Sequence, residues 1–408
     1  MRILLLTPRL PYPPYRGDKL KILNLLKRLS KKNSIHLVSF IEKKSELDYL
    51  PHLRPFCAAI DVVTLPRLQS YAQCLLGLFS RMPLQVHYFR SRRMRRVLDE
   101  ILRRHHFDAI HTHLIRMAPY TVDLPHPLKA LDLTDAVSLY LQRFLAREKN
   151  PLMKLLLKIE LERMSRYESL VEQFQACFVC SEPDREQLRK AAPEAEIRLV
   201  PNGVDLAYFS NSNPAPYESD QIVFTGNLTY HPNIDGIFYF VEEIFPLIKK
   251  EVPAAKFYIV GQSPPASVRA LASESVIVTG FVEDIKQYYL GSAVAVSPIR
   301  FGAGTLNKIL EPLALGVPVV ATSMGTEGLE VANGREILIA DRPHAFARHV
   351  IRVLKEPAYR ESLGQQGMAR VRRFYDWDAI VDSLEQIYQE LAEQNRVERR
   401  AEHWTPVT

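Results

Sequence analysis

The sequence predicts an α/β chain built as two doubly wound domains, and three observations carry that expectation. Short apolar runs recur along the whole chain, separated by stretches with helical periodicity, which is the pattern of a parallel sheet covered on both faces. A length of 408 residues exceeds what one ordinary core supports, so two domains are expected. The stretch Val296–Thr322 reads as strand end, glycine-bearing loop, short helix and second apolar strand, the βαβ unit of such a sheet.

In chain order, Ile3–Thr7 is the first strand, and a Pro- and Tyr-rich loop ending in Arg16-Gly17-Asp18 leads into a helix over Lys19–Lys31. Leu23, Leu26 and Leu29 form its apolar stripe. Further strands are expected at Ile35–Phe40, Ile60–Leu65, Ala109–Thr112, Lys129–Leu133, Ala176–Cys180 and Ile197–Val200. Leu139–Gln175 reads as mostly helical, interrupted near Pro151. His111-Thr112-His113 closes the strand from Ala109, at the carboxyl end where open parallel sheets bind ligands. Asp132 and Asp135 follow the next strand; one of them is expected to orient an acceptor, and a helix N-cap suits Asp135 at least as well. Asn211–Asp220, rich in Asn, Pro and Ser, reads as the interdomain linker.

A second alternating pattern starts at Gln221, with strands at Gln221–Thr225, Lys256–Val260, Val276–Gly280, Ala293–Ser297, Val317–Thr322 and Ile337–Ala340. Within it, Gly302 and Gly304 let the backbone approach a ligand, and a helix starting near Thr305 offers free N–H groups to an anion. Lys308 adds a cation one turn in, and Glu311 lies on the same helix face. That set suits a sugar nucleotide: N–H donors and Lys308 for the diphosphate, Glu311 for ribose hydroxyls. A packed turn with a surface Lys and Glu is the competing reading. Pro312 removes one helical hydrogen bond and should kink the helix. Asp376-Trp377-Asp378 has the D-x-D form of a metal–nucleotide motif, but at a helix start it reads as capping. The helix that follows covers Ala379–Leu391, and the polar tail Asn395–Thr408 is expected to be disordered.

Composition narrows the class. The chain is 47% apolar and 24% charged, as in soluble globular proteins, and no apolar run approaches the roughly 18 residues needed to span a bilayer. With no signal-peptide core at the start, a cytoplasmic location is expected. Cys177 and Cys180 form a C-x-x-C, yet strand geometry would hold them roughly 10 Å apart, so all four cysteines are expected as reduced thiols. Residues 1–205 carry 34 Lys and Arg against 22 Asp and Glu, and the remainder carries 19 against 24, so the first half should face something anionic. Eight arginines (81, 90, 92, 93, 95, 96, 103 and 104) face only Asp99 and Glu100, with Phe89, Met94, Val97, Leu98, Ile101 and Leu102 interleaved. This reads as a basic helix with an apolar side, suited to an anionic membrane through Arg90–Arg104; a solvated surface is the alternative, and no nucleic-acid-reading module accompanies it.

The Gly-Ala-Gly-Thr-x-x-Lys stretch with Glu311, the glycine loop at Gly17 and Pro201-Asn202-Gly203-Val204-Asp205 resemble the family 4 glycosyltransferases, in the form of an exopolysaccharide-linked subgroup. The resemblance implies the GT-B fold: two Rossmann-like domains with parallel sheets facing a cleft. The acceptor domain would be residues 1–206, the donor domain 207–375, and a helix over 376–394 would cross back to the first domain. It implies a retaining sugar transfer from a nucleotide-sugar donor, itself a substrate, to a glycan or lipid-linked hydroxyl, without metal or cofactor. By the same resemblance His113, Lys308 and Glu311 serve the chemistry. Gly17, Gly226, Asn227, Val282, Arg300, Gly302, Gly304, Thr305, Lys308 and Glu311 hold the donor. Two positions depart from the family: Ala303 stands where a second Glu is common, and Asn227 where an Arg is common, leaving Lys308 and Arg300 to supply the charge. A sugar-nucleotide epimerase of the same fold and a non-catalytic nucleotide-sugar-binding membrane partner are the rival readings.

Overall fold

The computed structural model describes residues 1–402 except 127, 211–217 and 303–306. The chain divides into two compact units: Met1–Val200 with a returning segment from Ile380, and Pro201–Ala379.

Unit 1 is built on seven strands: β1 (Arg2–Thr7), β2 (Ser34–Ile41), β3 (Ala59–Thr64), β4 (Ala109–His113), β5 (Lys129–Thr134), β6 (Ala176–Val179) and β7 (Ile197–Leu199). Their order is β3-β2-β1-β4-β5-β6-β7, and all neighbours run parallel. Ile3, Leu4, Leu5 and Leu6 of β1 are all buried, because a central parallel strand is covered on both faces. The helix Gly17–Leu29 follows β1, and the expected long helical stretch is Val137–Arg147, Pro151–Tyr167 and a 3₁₀ turn over Glu168–Gln173. From Ile380 the helix Trp377–Glu402 belongs to unit 1. It is anchored by Tyr388, whose hydroxyl bonds His111 Nδ1, and by Glu385, which accepts from Lys32 Nζ at 3.0 Å and Asn33 Nδ2 at 2.6 Å.

Unit 2 has six strands: β8 (Glu218–Thr225), β9 (Lys256–Val260), β10 (Val276–Gly280), β11 (Ser292–Ser297), β12 (Val319–Ala321) and β13 (Leu338–Ile339). They lie in the order β10-β9-β8-β11-β12-β13, again parallel. Phe224, Phe240, Phe257 and Phe346 fill one side of this sheet.

Both sheets reverse direction at one place. In unit 1 the chain builds outward from β1 to β3 and then returns to β4 on the other side of β1; in unit 2 the reversal lies between β8 and β11. At such a switch point the loops leave in opposite directions and open a crevice at the strands' carboxyl ends.

The structure differs from expectation at several points. β12 starts at Val319 rather than Val317, because Pro318 has no N–H for a ladder. The linker expected over Asn211–Asp220 yields its last three positions to β8, and 211–217 lie outside the described residues. The final helix continues to Glu402, past the expected end at 394 and into the tail expected to be disordered; positions 403–408 lie outside the described residues. Asp135 does not cap a helix: Ala136 occupies that position, and its N–H is bound at 2.9 Å by Asp184 Oδ1. Asp376, by contrast, accepts from Asp378 N at 3.2 Å at the start of its helix, as a cap would. The four cysteines are free.

One close approach sets the edge of the unit 2 crevice. A Cβ added to Gly261 would stand 1.9 Å from the carbonyl oxygen of Gly226, so the ends of β8 and β9 meet backbone to backbone. Gly261→Ala should therefore lower the unfolding free energy by about 1–3 kcal/mol in chemical denaturation, the usual cost of overpacking. An unchanged midpoint would show that the two strand ends separate freely.

Candidate functional site

At the unit 2 switch point, Gly226 follows β8 and the helix Asn307–Ala314 follows the loop after β11. Lys308 Nζ donates to Asn233 Oδ1 and sits 4.4 Å from the centre of the Phe224 ring. Asn233 belongs to the first turn of the helix His231–Tyr239, and its Nδ2 donates to the Asn227 carbonyl at 2.8 Å. A Cβ on Gly226 would come within 3.1 Å of Lys308 Nζ, so glycine there leaves room for the ammonium. Lys308 is thus brought together with Gly226 and the Asn227 carbonyl around one amide, Asn233. On the same helix face Glu311 Oε2 accepts from the Tyr289 hydroxyl at 2.9 Å. Tyr289 is in turn bonded to Thr225 at the end of β8.

The electrostatics are unbalanced. Burial pushes Lys308 down to about 7, with only Glu311 opposing the shift. Burial raises the Glu311 carboxyl, against the Tyr289 hydrogen bond and the charge of Lys308. Among the described residues Lys308 has an amide and an aromatic face as its direct partners, and neither carries negative charge. An arriving diphosphate would supply it.

The other expected donor residues are distributed differently. Arg300 is held by Asp235 through two hydrogen bonds of 2.9 and 2.6 Å and lies over the Tyr239 ring, so its charge is already matched. Asn227 spends its side-chain oxygen on Thr229, accepting from its N and Oγ1 at 3.0 and 2.8 Å. Val282 packs against the core of Ile309 and Leu313. Gly302 takes φ +152°, with the Tyr230 hydroxyl 3.8 Å from where its Cβ would be. Gly17 opens the first helix of unit 1, with nothing within 4 Å of a Cβ position. Gly304, Thr305 and Ala303 lie outside the described residues. Asn233 and Tyr289 escaped sequence reasoning, because nothing in either one's neighbours marks which face of its helix it occupies.

In unit 1, β4 and β5 pair His113 with Asp132 across the register. Asp132 is a buried hub. It accepts from Lys21 Nζ at 2.7 Å, Thr134 N at 3.1 Å and His113 Nδ1 at 3.2 Å. Burial opposes ionisation of Asp132, but Lys21 and the two histidines hold it well below the ordinary carboxylate range. Burial also lowers His113, against Asp132, and a proton on Nδ1 would complete its hydrogen bond to the carboxylate. Its Nε2, buried and without a hydrogen-bond partner, is then a lone-pair acceptor for a hydroxyl. His111, His113 and Asp132 bring three possible metal-ligand atoms within 4.8 Å of one another. Lys21 already supplies a cation to Asp132, so the cluster is charge-compensated as it stands. Lys21 was also missed from the sequence, since a lysine on an amphipathic helix reads as solvated.

The sequence profile of the family described as "Glycosyl transferases group 1" matches residues 219–356, a segment holding Gly226, Asn233, Lys308 and Glu311. An uncharacterized 44.6 kDa protein from the cps region of Klebsiella pneumoniae is 25% identical over 172 residues, covering 40% of this chain and 44% of that protein. An uncharacterized glycosyltransferase of Methanocaldococcus jannaschii is 25% identical over 220 residues, 48% of this chain and 54% of its own length. The chain thus spans about half the length of these curated relatives. Among solved structures, sucrose-phosphate synthase from Thermosynechococcus elongatus superposes with a TM-score of 0.72 at 17% identity, covering 96% of this chain and 99% of that one. Anabaena HepE, crystallised with UDP-glucose, gives 0.65 at 13% identity, covering 96% and 100%. The shared architecture is the GT-B fold.

The Lys21–Asp132 pair allows a direct test. Removing one partner of a buried ion pair strands the other charge and typically costs about 3–5 kcal/mol. Lys21→Met should lose stability on that scale in urea denaturation, and adding Asp132→Asn should restore part of it. A single variant as stable as the parent would mean that Asp132 finds water or another donor.

Proposed function

We propose that this protein transfers a glycosyl group from a nucleotide-sugar donor to a hydroxyl of a glycan or lipid-linked acceptor, with retention, in exopolysaccharide or cell-surface glycan synthesis. The observation that carries the reading is Lys308, half-buried without a direct anionic partner beside Glu311, at the switch point of the unit that matches a glycosyltransferase family. Lys308 would take the donor diphosphate and stabilise the charge that develops as the glycosyl bond to it breaks. Glu311, oriented by Tyr289, would accept hydrogen bonds from ribose hydroxyls. In unit 1, His113 Nε2 would accept from the acceptor hydroxyl. No step in this scheme calls for a metal, so transfer should survive exhaustive chelation. UDP and UDP-glucose are the first probes, since HepE was crystallised with them.

Proton linkage tests the donor site. At pH 8 a lysine with its pKa near 7 is mostly neutral, and a bound diphosphate would raise that pKa and draw a proton in. UDP titrated at pH 8 in two buffers of different ionisation enthalpy should show proton uptake, and Lys308→Met should abolish it. Glu311→Ala should weaken UDP by about 10- to 150-fold, the loss of one charged hydrogen bond. UDP affinity indifferent to both changes would remove the donor site from this helix, and free nucleotide released without an acceptor would favour the epimerase reading.

We also propose contact with an anionic membrane, in altered form. The apolar side of the helix Arg92–Arg104 does not face outward: Met94, Leu98 and Ile101 are buried in the core. Arg95 is part-buried and bonds the Tyr120 carbonyl at 3.1 Å. That helix therefore offers charge alone. Apolar surface comes from elsewhere in unit 1: Leu68, Leu76 and Phe79 are 85, 80 and 97% exposed, and Leu152 and Leu155 are 67 and 56% exposed. Arg163 Nη2 bonds the Leu78 carbonyl and Glu160 bonds Leu84 N, which ties these two stretches together. No Asp or Glu occurs between Asp61 and Asp99, while Arg67, Arg81, Arg90, Arg92, Arg93, Arg95 and Arg96 do. An exposed apolar patch flanked by unopposed cations fits an anionic bilayer. Among the described residues no helix is long and apolar enough to cross a membrane. Replacing Leu75, Leu76 and Phe79 by Ser should abolish sedimentation with phosphatidylglycerol vesicles, and replacing Arg92, Arg93 and Arg96 by Gln should weaken it in a salt-dependent way. Equal binding to neutral vesicles, or none to either, would defeat the membrane assignment.

A further inference from the structure

We infer that the switch-point crevice of unit 1 is an oxyanion site, and that it takes a phosphoryl group carried by the acceptor. The assignment to an acceptor rests on the transferase reading above; the anion site itself does not.

Three guanidinium groups converge there. Arg9 follows β1, Arg16 stands at the N-cap of the helix Gly17–Leu29, and Arg116 lies in the turn Ile115–Tyr120 after β4. Arg9 and Arg116 sit over the same ring, each with its Cζ 5.5 Å from the centre of Phe89. Arg9 Nη1 donates to Asp18 Oδ2 at 3.0 Å, and Arg16 Nε lies 3.7 Å from Asp18 Oδ1. Arg116 makes no hydrogen bond or ion pair to any described residue, and its Nε is buried without a partner. Arg9 and Arg16 thus share one carboxylate, and Arg116 has none in direct contact.

Such an arrangement is costly without a counter-ion. A desolvated guanidinium without a counter-ion retains its full desolvation penalty, and a like charge over the same ring adds to it. The electrostatics agree: burial and then the charge of Arg9 push Arg116 down to about 10. Burial and Arg9 also lower Arg16. Although burial works the other way, Arg9 and Arg16 hold Asp18 below its ordinary value. The site is reachable, since the side chains of Arg9 and Asp18 are each 19% exposed and that of Arg16 is 49% exposed. The helix behind it runs for 13 residues and starts without a side-chain cap, so its first N–H groups also point at the crevice. Asp18 is the one carboxylate in direct contact with this set, while Asp135 acts on Arg116 and Glu42 on Arg16 only from beyond ion-pair distance, so donors outnumber the acceptors in contact with them and suit a phosphoryl group. Planar guanidinium groups also donate to phosphate in pairs.

The phosphoryl group could come from a soluble sugar phosphate or from a lipid-linked diphosphate. The test is calorimetric titration of the full chain with inorganic pyrophosphate, glucose 1-phosphate and farnesyl diphosphate, each under saturating UDP. Pyrophosphate should bind despite the UDP. Arg116→Gln and Arg9→Gln should each weaken it by about 10- to 100-fold, the loss of a charged hydrogen bond, while Lys308→Met should leave it unchanged. Without phosphate, Arg116→Gln should melt no lower than the parent, because it removes an uncompensated charge; an arginine with a merely structural role would lower the melting temperature. Tighter binding of farnesyl diphosphate than of glucose 1-phosphate marks the lipid-linked source, and the reverse order marks the soluble one. Pyrophosphate excluded by UDP, or bound by both arginine variants as tightly as by the parent, overturns the proposal. If UDP fails to bind while pyrophosphate still does, the donor reading falls and the anion site stands.

Discussion

The ion pair between Lys21 and Asp132, 2.7 Å long with both side chains 1% exposed, is the interaction on which unit 1 depends. It ties the first helix to β5, fixes the tautomer of His113 and so decides which nitrogen of that ring is left free. Neither charge could be buried alone at tolerable cost. Burial works against Lys21, yet Asp132 and then Cys180 raise its pKa above the ordinary lysine value.

Lys308 in unit 2 is the counter-case. It lies on the helix after β11, its partner is an amide rather than a carboxylate, and burial moves its pKa the other way, to about 7. The difference between the two lysines is the difference between a group whose charge is settled by the fold and one that the fold leaves without a counter-ion in direct contact. Arg116 belongs with Lys308 in this respect, and Arg300, clasped by Asp235, belongs with Lys21. Sorting cations by whether the fold already neutralises them separates scaffold from site better than exposure does, since all four are wholly or partly buried.

The exposed apolar surface of unit 1 follows from where the core takes its side chains. The helix Arg92–Arg104 has the sequence of an amphipathic membrane segment, but its apolar side is consumed by the core around Phe107 and Ile110. Most of the large apolar side chains left exposed in unit 1 lie on Arg67–Leu76, on the turn Gly77–Phe79 and on Pro151–Tyr167.

By itself the sequence determined the parallel α/β class, the placement of nearly every strand to within two residues, and the short helix that carries Lys308 and Glu311 on one face. These are set by short-range patterns, namely apolar runs, turn residues and helical spacing, and such patterns survive without knowledge of what packs against them. The tertiary structure decided which groups are paired. Asn233 reaches Lys308 across 75 residues, Asp132 reaches Lys21 across 111, and Tyr388 reaches His111 across 277. Arg300 and Arg116 read alike in the sequence, as arginines in loops near strand ends. Only the fold gives one of them a carboxylate and leaves the other without, because a charge pair is made by strand order and helix docking, and neither is encoded next to the residue it serves.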